Sequence, residues 1–265
     1  MRPYVSLART AWSSLLAYRG EFLLLVLTGG VVQTVGLLAV WRAVYAGSGE
    51  DLIGGLTWDQ MRGYLLVALL TGTLLGGFTD VALAGRVLSG TVALDLVRPV
   101  DYQLARFAEA IGYLLAELLT SAVMIGVLVL VFGGVALPEG TQAVLWLLSL
   151  LAVVPLKFAL VYTVGLACFW TQNFQGLSMA RMAITNIGSG SVAPIALYPE
   201  WLQTLCWYSP FPSVVSTPAL IFLGKAQGAE AWSLIGTQLI WIVLLWGAAR
   251  LLWPLSVRKL TVHGG

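Results

Sequence analysis

Two ionisable side chains stand deep inside apolar stretches of this sequence, where a charge needs a partner. Glu117 and Lys157 lie in consecutive apolar segments, each about 15 to 20 Å from one end of its segment if the segment is helical. A charge at that depth costs several kcal/mol unless it is paired or hydrated. We therefore predict a buried ion pair between Glu117 and Lys157. The pair either locks two neighbouring helices together, which is the simpler interpretation, or lines a polar path.

Residues typical of enzyme chemistry are missing from the sequence. It has no G-x-x-x-x-G-K-(S/T) loop, because Gly224-Lys225 is followed by alanine and lacks the upstream glycine. The single histidine, His263, lies two residues from the end and accompanies no cluster of metal ligands. We expect no catalytic residue, no metal and no cofactor bound by this chain, and this argues against an intramembrane enzyme.

Composition places the two buried charges in a membrane protein. Of 265 residues, 59% are hydrophobic and only 10% are charged, and the mean hydropathy is +0.89. A soluble globular protein is nearer half apolar and a quarter charged. The net charge of +2 is too small to indicate a nucleic-acid partner. We predict an all-α polytopic membrane protein in which residues 1–265 form a single transmembrane domain surrounded by lipid.

The hydrophobic runs predict six membrane-spanning helices, each with enough apolar residues to cross a bilayer. They are 22–41, 62–83, 104–132, 142–170, 177–197 and 231–253. An amphipathic helix at 3–19, with Trp12 at the headgroup level, precedes them as an elbow. Residues 198–225 contain four prolines, which forbid one straight helix, yet they are too apolar for a free loop. We predict short re-entrant helices in the outer leaflet there.

Orientation follows from the basic residues. With both termini cytoplasmic, ten Lys and Arg residues fall on the inner side and three on the outer side, as the positive-inside rule requires. This predicts a multi-pass protein of the inner (plasma) membrane, with residues 86–103 on the cytoplasmic side. Cys168 and Cys206 then fall on opposite sides, so we expect no disulfide and treat both as packing residues.

Residues 86–103 form the polar connection between the second and third spans. Residues 91–97 give about two helical turns, which Ser89 or Thr91 can cap and Pro99 ends. A short helix flanked by arginines cannot lie in hydrocarbon. It is either an ordinary solvated loop or a docking element for another subunit.

Two short runs of this sequence resemble motifs of a known family and thereby favour the docking interpretation of residues 86–103. The first has a glycine, spaced leucines and an Arg-Pro pair, at Gly90, Leu94, Leu96, Val97, Arg98, Pro99 and Val100. The second, in the outer segment, reads Pro199-Glu200-Trp201-Leu202 and Ser209-Pro210-Phe211. Their order and sidedness resemble ABC-2-type permeases, the membrane subunits of a class of ABC exporters with a type V exporter-like fold.

That resemblance implies that this chain forms the membrane part of a complex and that separate subunits hydrolyse ATP. In the family, the segment between the second and third spans is a coupling helix that docks on a separate ATPase. The positions that correspond here are Gly90, Val92, Leu94, Asp95, Leu96, Arg98 and Pro99. The implied complex has two ATPase subunits, which hold ATP and magnesium, and a second permease. The Leu-Val-Arg-Pro stretch resembles a subgroup whose members often occur as two different permeases.

By the family's pattern, spans one, two and five face the second permease, and a substrate path runs between the two. Candidate lining residues are Gln33, Thr34, Thr71, Thr73, Asn186, Ser189 and Ser191. The alternative is that these polar groups only pack helices together, since Ser and Thr are common at such contacts. A rival interpretation of the whole chain is a membrane scaffold without transport, but a scaffold needs no docking helix. The sequence does not indicate the substrate.

Overall fold

The computed structural model of the protein describes residues 2–17, 20, 32–75, 85–86, 91–97, 99–171 and 174–259. Within these ranges the chain is α-helical, with short 3-10 turns and no β-strand. The helices are α1 (Arg2–Ala17), α2 (Val32–Ser48), α3 (Trp58–Thr73), α4 (Val92–Leu96), α5 (Tyr102–Phe132), α6 (Gly140–Leu166), α7 (Phe174–Ser189), α8 (Glu200–Trp207), α9 (Ser216–Phe222) and α10 (Gly228–Val257).

Three helices in the described part of the chain are long and apolar enough to cross a membrane. They are α5, α6 together with its 3-10 extension to Phe169, and α10, of 31, 30 and 30 residues. They correspond to the predicted third, fourth and sixth spans. Helices α2, α3 and α7 stand for the first, second and fifth spans but are described over only 17, 16 and 16 residues. The chain is therefore a multi-pass membrane protein, while the full set of six spans stays a prediction.

Helix ends follow local chemistry at the two best-defined starts. Helix α3 begins with a capping box, in which Thr57 Oγ1 accepts from the Gln60 amide and Gln60 Oε1 accepts from the Thr57 amide. Helix α5 begins after Asp101, whose carboxylate accepts from the Leu104 amide at 2.8 Å. These caps satisfy donors that the first turn of a helix leaves unpaired.

The amphipathic helix α1 packs across α5. Gly112 of α5 permits this contact, because a Cβ there would lie 2.3 Å from the carbonyl oxygen of Ala8. Ala11 is buried against α5, whereas Val5 is 65% exposed. The helix predicted at 3–19 is thus present over the described residues 2–17 and is attached to the third span.

The outer segment at 198–225 is broken, as its prolines predict. It contains α8 and α9, and α9 packs between α3 and α6. Ala219 and Phe222 of α9 belong to a core cluster with Tyr64 and Leu65 of α3. The second half of the segment therefore lies inside the helix bundle, against the first half of α3.

Candidate transport and coupling sites

A cavity of about 270 Å³ opens between helices α2, α3, α6 and α7. Trp41 at one side of it donates from Nε1 to the Val192 carbonyl at 3.1 Å, which holds α2 next to the end of α7. Six of the seven residues that the sequence proposed for a path line this cavity: Gln33, Thr34, Thr73, Asn186, Ser189 and Ser191. Their role as a substrate path stays a prediction, but the structure brings these six together.

Thr71 is the seventh of these residues and lies apart from the cavity. It is fully buried, and its hydroxyl donates to the Val67 carbonyl of its own helix at 2.9 Å. Its side chain therefore serves helix α3, which is the packing alternative that the sequence left open.

Two cationic side chains also line the cavity; for Lys157 a place on a polar path was one of two interpretations, whereas Arg181 was not among the candidate lining residues. Lys157 comes from α6 and Arg181 from α7. Arg181 lies near the start of the predicted fifth span, and in the structure it is a residue of α7 that is 8% exposed. Its spacing gave a signal, because Arg181, Thr185 and Ser189 recur every four residues and form the buried face of α7. The cavity thus combines basic, amide and hydroxyl groups with apolar walls, a combination suited to an amphipathic molecule.

The two buried charges meet at one piece of backbone, the end of helix α3. Lys157 Nζ donates to the carbonyl oxygens of Thr71 and Gly72, at 2.8 and 2.6 Å. Glu117 Oε2 accepts from the Leu75 amide at 2.7 Å. Both charged side chains are at most 5% exposed. The contacts confirm that each group has polar partners at depth, while the direct Glu117–Lys157 pair stays a prediction.

The short helix α4 has two distinct faces. Val92 and Asp95 are buried against the rest of the protein, at 0% and 7% exposure. Leu94, Leu96 and Val97 point away from it, at 68%, 41% and 83% exposure. Of the proposed coupling residues, Gly90 and Arg98 lie outside the described residues. Exposed leucine and valine on a polar connection indicate a contact surface, because a solvated loop has no need of them.

Four charged side chains attach α4 to the start of α5. Arg86 lies 2.8 Å from Asp95 and 3.0 Å from Glu109. Arg106 lies 2.9 Å from Glu109 and 3.6 Å from Asp95. Asp95, Arg106 and Glu109 are each less than a tenth exposed, while the Arg86 side chain is 32% exposed. The three buried members of this charged cluster are therefore little affected by screening.

Sequence reasoning gave Asp95 a place on the docking surface and took Arg106 and Glu109 only as the polar start of a span. The structure instead turns Asp95 inward, toward this cluster. The i, i+3 spacing of Arg106 and Glu109 was the available signal. Aspartate placed two turns before a span cannot by itself reveal which side of a short helix it occupies.

Comparison with known protein families shows which family the chain belongs to. A protein-family model described as "ABC-2 family transporter protein" matches residues 31–264, nearly the whole chain. No curated protein gives a match. Proteins of this family are the transmembrane components of ABC transporters, which work with separate ATPase subunits and are not themselves catalytic. The described helices, the buried polar cavity and the family match lead to one conclusion: this chain is a multi-pass membrane protein that belongs to the ABC-2 family of transporters.

Proposed function

We propose that the chain is the permease subunit of an ATP-driven exporter of the inner membrane, with both termini in the cytoplasm. A second permease, identical or homologous, completes the membrane part, and two ATPase subunits bind ATP and magnesium. The observation that carries this proposal is the apolar outer face of α4, formed by Leu94, Leu96 and Val97, on a helix whose inner face is held by charges.

A helix with an exposed apolar face and a buried charged face can transmit a movement of the ATPase subunits to the membrane domain. The ATPase subunits approach one another when they bind ATP, and they draw α4 with them. Asp95 of α4 pairs with Arg106 of α5, and Arg86 pairs with Glu109 of α5. A displacement of α4 therefore also displaces the start of α5. Buried ion pairs are stronger than exposed pairs, because water weakens the attraction between exposed charges. They are therefore better able to hold α4 against α5 while the subunits move.

The substrate path is proposed at the contact between two permeases. The cavity lies between α2 and α7, and each of these helices also presents an apolar face outward. On α7 these residues are Met179, Met182, Ile184 and Ile187, which are 45% to 69% exposed. Met182 belongs both to that face and to the cavity wall. A partner permease on this face closes the cavity from the side and extends it into a path.

Co-purification tests the proposal. In the full complex, Leu94→Asp places a charge on the docking face, so we expect recovery of the ATPase subunits to fall at least about tenfold, the effect of 1.4 kcal/mol. Leu137→Asp is the matched control, since Leu137 is a 71% exposed residue of a loop far along the chain from α4. Equal ATPase recovery with both variants contradicts the docking role of α4. Failure of any ATPase to co-purify with the unmodified chain supports the scaffold interpretation.

A further inference from the structure

Helix α3 has 16 residues, fewer than a helix needs to cross a bilayer. The sequence predicted a second span that continues to Leu83, but α3 ends at Thr73. Measured along the helix from Trp58, Thr71 is about 20 Å deep, well inside the hydrocarbon of a bilayer. The backbone of Leu75 has a φ of +49°, a left-handed conformation that residues other than glycine rarely adopt. The glycines at 72, 76 and 77 weaken the helix locally, and contacts from other helices hold the break in place.

A helix end in hydrocarbon leaves backbone groups that water cannot satisfy. Here charged side chains from two other spans satisfy them. Lys157 of α6 donates to the carbonyls of Thr71 and Gly72, and Glu117 of α5 accepts from the amide of Leu75. A cation at the carboxyl end of a helix is also favoured by the helix dipole. Each charge thus has the sign that its backbone partner needs.

The part of α3 before the break is fastened to the outer segment. The Tyr64 hydroxyl lies 2.8 Å from the Gly190 carbonyl and 3.0 Å from Ser216 Oγ, at the start of α9. Gly63 packs closely on Leu223. Gly72, Thr73 and Lys157 meanwhile belong to the wall of the cavity. The break consequently lies between the cavity and a unit made of α3 and α9.

We propose that residues 73–75 form a joint in the second span, and that Lys157 and Glu117 are positioning residues that set the angle of the α3–α9 unit over the cavity during transport. Side-chain hydrogen bonds to helix-end backbone groups can shift from one carbonyl to the next, whereas a continuous helix must break its own ladder to bend. The proposal rests on the proposed transport function and adds the place at which the membrane domain bends.

Distance measurement between spin labels tests this joint in the full complex with its ATPase subunits. Labels go on Leu52→Cys, in the loop before α3, and on Leu137→Cys, after α5; both positions are more than half exposed. The buried Cys168 and Cys206 are replaced by alanine. We expect ATP to shift the distance in this background and in Lys157→Arg, which keeps a donor. In Lys157→Met, which has a similar length but neither the charge nor an N–H donor, we expect the shifted population to fall at least fivefold while ATP hydrolysis continues.

An undiminished shift in folded Lys157→Met overturns the proposal. Absence of ATP hydrolysis in the unmodified complex instead counts against the transport function, so the two failures are distinguishable. The charge exchange Glu117→Lys with Lys157→Glu gives a second measurement. We expect it to unfold at lower temperature than Lys157→Met or Glu117→Gln alone, because a carboxylate then faces carbonyl oxygens. Stability equal to that of the unmodified chain shows that only the mutual ion pair matters and overturns the joint.

Discussion

The Arg106 guanidinium of α5 lies 3.6 Å from the Asp95 carboxylate of α4, and this contact joins the short helix α4 to the long apolar helix α5. Arg106 also lies over the ring of Tyr102, 5.0 Å from its centroid, which fixes the guanidinium from a second side. The outer face of α4 and the start of α5 thus belong to one mechanical unit. In the proposed exporter, this unit receives force from the ATPase and delivers it to the membrane.

Disrupting the contacts between α4 and α5 should destabilise the protein without weakening its binding to the ATPase subunits. Asp95→Asn removes a buried charge opposite Arg86 and Arg106, and loss of one partner in such a cluster costs about 3 to 5 kcal/mol. We expect a lower unfolding temperature together with normal recovery of the ATPase subunits, because Leu94, Leu96 and Val97 are unchanged. Thermal unfolding and co-purification measure the two effects. The control is Asp59→Asn, because the Asp59 carboxylate is 78% exposed and its pair with Arg62 should contribute about 1 kcal/mol or less. Equal unfolding temperatures for the two variants contradict the role of the cluster.

The contact between α1 and α5 should depend on Gly112. Gly112→Val brings a side chain against the Ala8 backbone, so we expect α1 to separate from α5 at a cost of about 1 to 3 kcal/mol. Unfolding temperature and protease sensitivity of the amino terminus measure this change. Gly126→Val, in the same helix, meets nothing within 4 Å of the new Cβ and serves as the control. A similar loss in both variants would show that helix propensity alone is responsible.

Water should reach the cavity but not the neighbouring apolar face of α7. Asn186 lines the cavity, whereas Ile187 points outward at 53% exposure. We expect Asn186→Cys to react with a membrane-impermeant maleimide at least about tenfold faster than Ile187→Cys, because thiolates form in water and not in hydrocarbon. Both variants are made with the two buried cysteines replaced. Equal rates contradict an aqueous cavity at this site.

The attachment of α3 to the outer segment should weaken when Tyr64 loses its hydroxyl. Tyr64→Phe leaves the Gly190 carbonyl and Ser216 without this partner. We expect a loss of about 1 to 3 kcal/mol, the cost of a buried polar group left unsatisfied. Tyr208→Phe is the control, since Tyr208 is 82% exposed. The proposal of a rigid α3–α9 unit is wrong if the two substitutions change the unfolding temperature equally.

Much of this architecture could be predicted from the sequence, because its signals are local. The apolar runs predicted the long helices, the four prolines predicted the broken segment at 198–225, and Pro99 predicted the end of the short helix α4. The polar residues that meet in the cavity were found for a similar reason. Asn186 and Ser189 are conspicuous in an apolar helix whatever they contact.

What the sequence could not supply was the identity of non-local partners. Lys157 and Glu117 were conspicuous, but backbone acceptors and donors carry no side-chain signature, so a neighbouring charge was the natural partner to predict. The end of α3 at Thr73 was also missed, because the glycines at 72, 76 and 77 that flank it are common in membrane helices as well. The inward turn of Asp95 depends on contacts with Arg86 and Arg106, which only the folded chain brings together.

Photo-crosslinking from α4 tests the docking proposal most directly. A photoreactive residue in place of Val97, which is 83% exposed, should capture an ATPase subunit in intact cells, whereas the same residue in place of the buried Val92 should crosslink only within the permease. The proposed exporter requires this difference. Capture of no ATPase from position 97, together with labelling of Val97→Cys by an impermeant reagent from outside the cell, would contradict it.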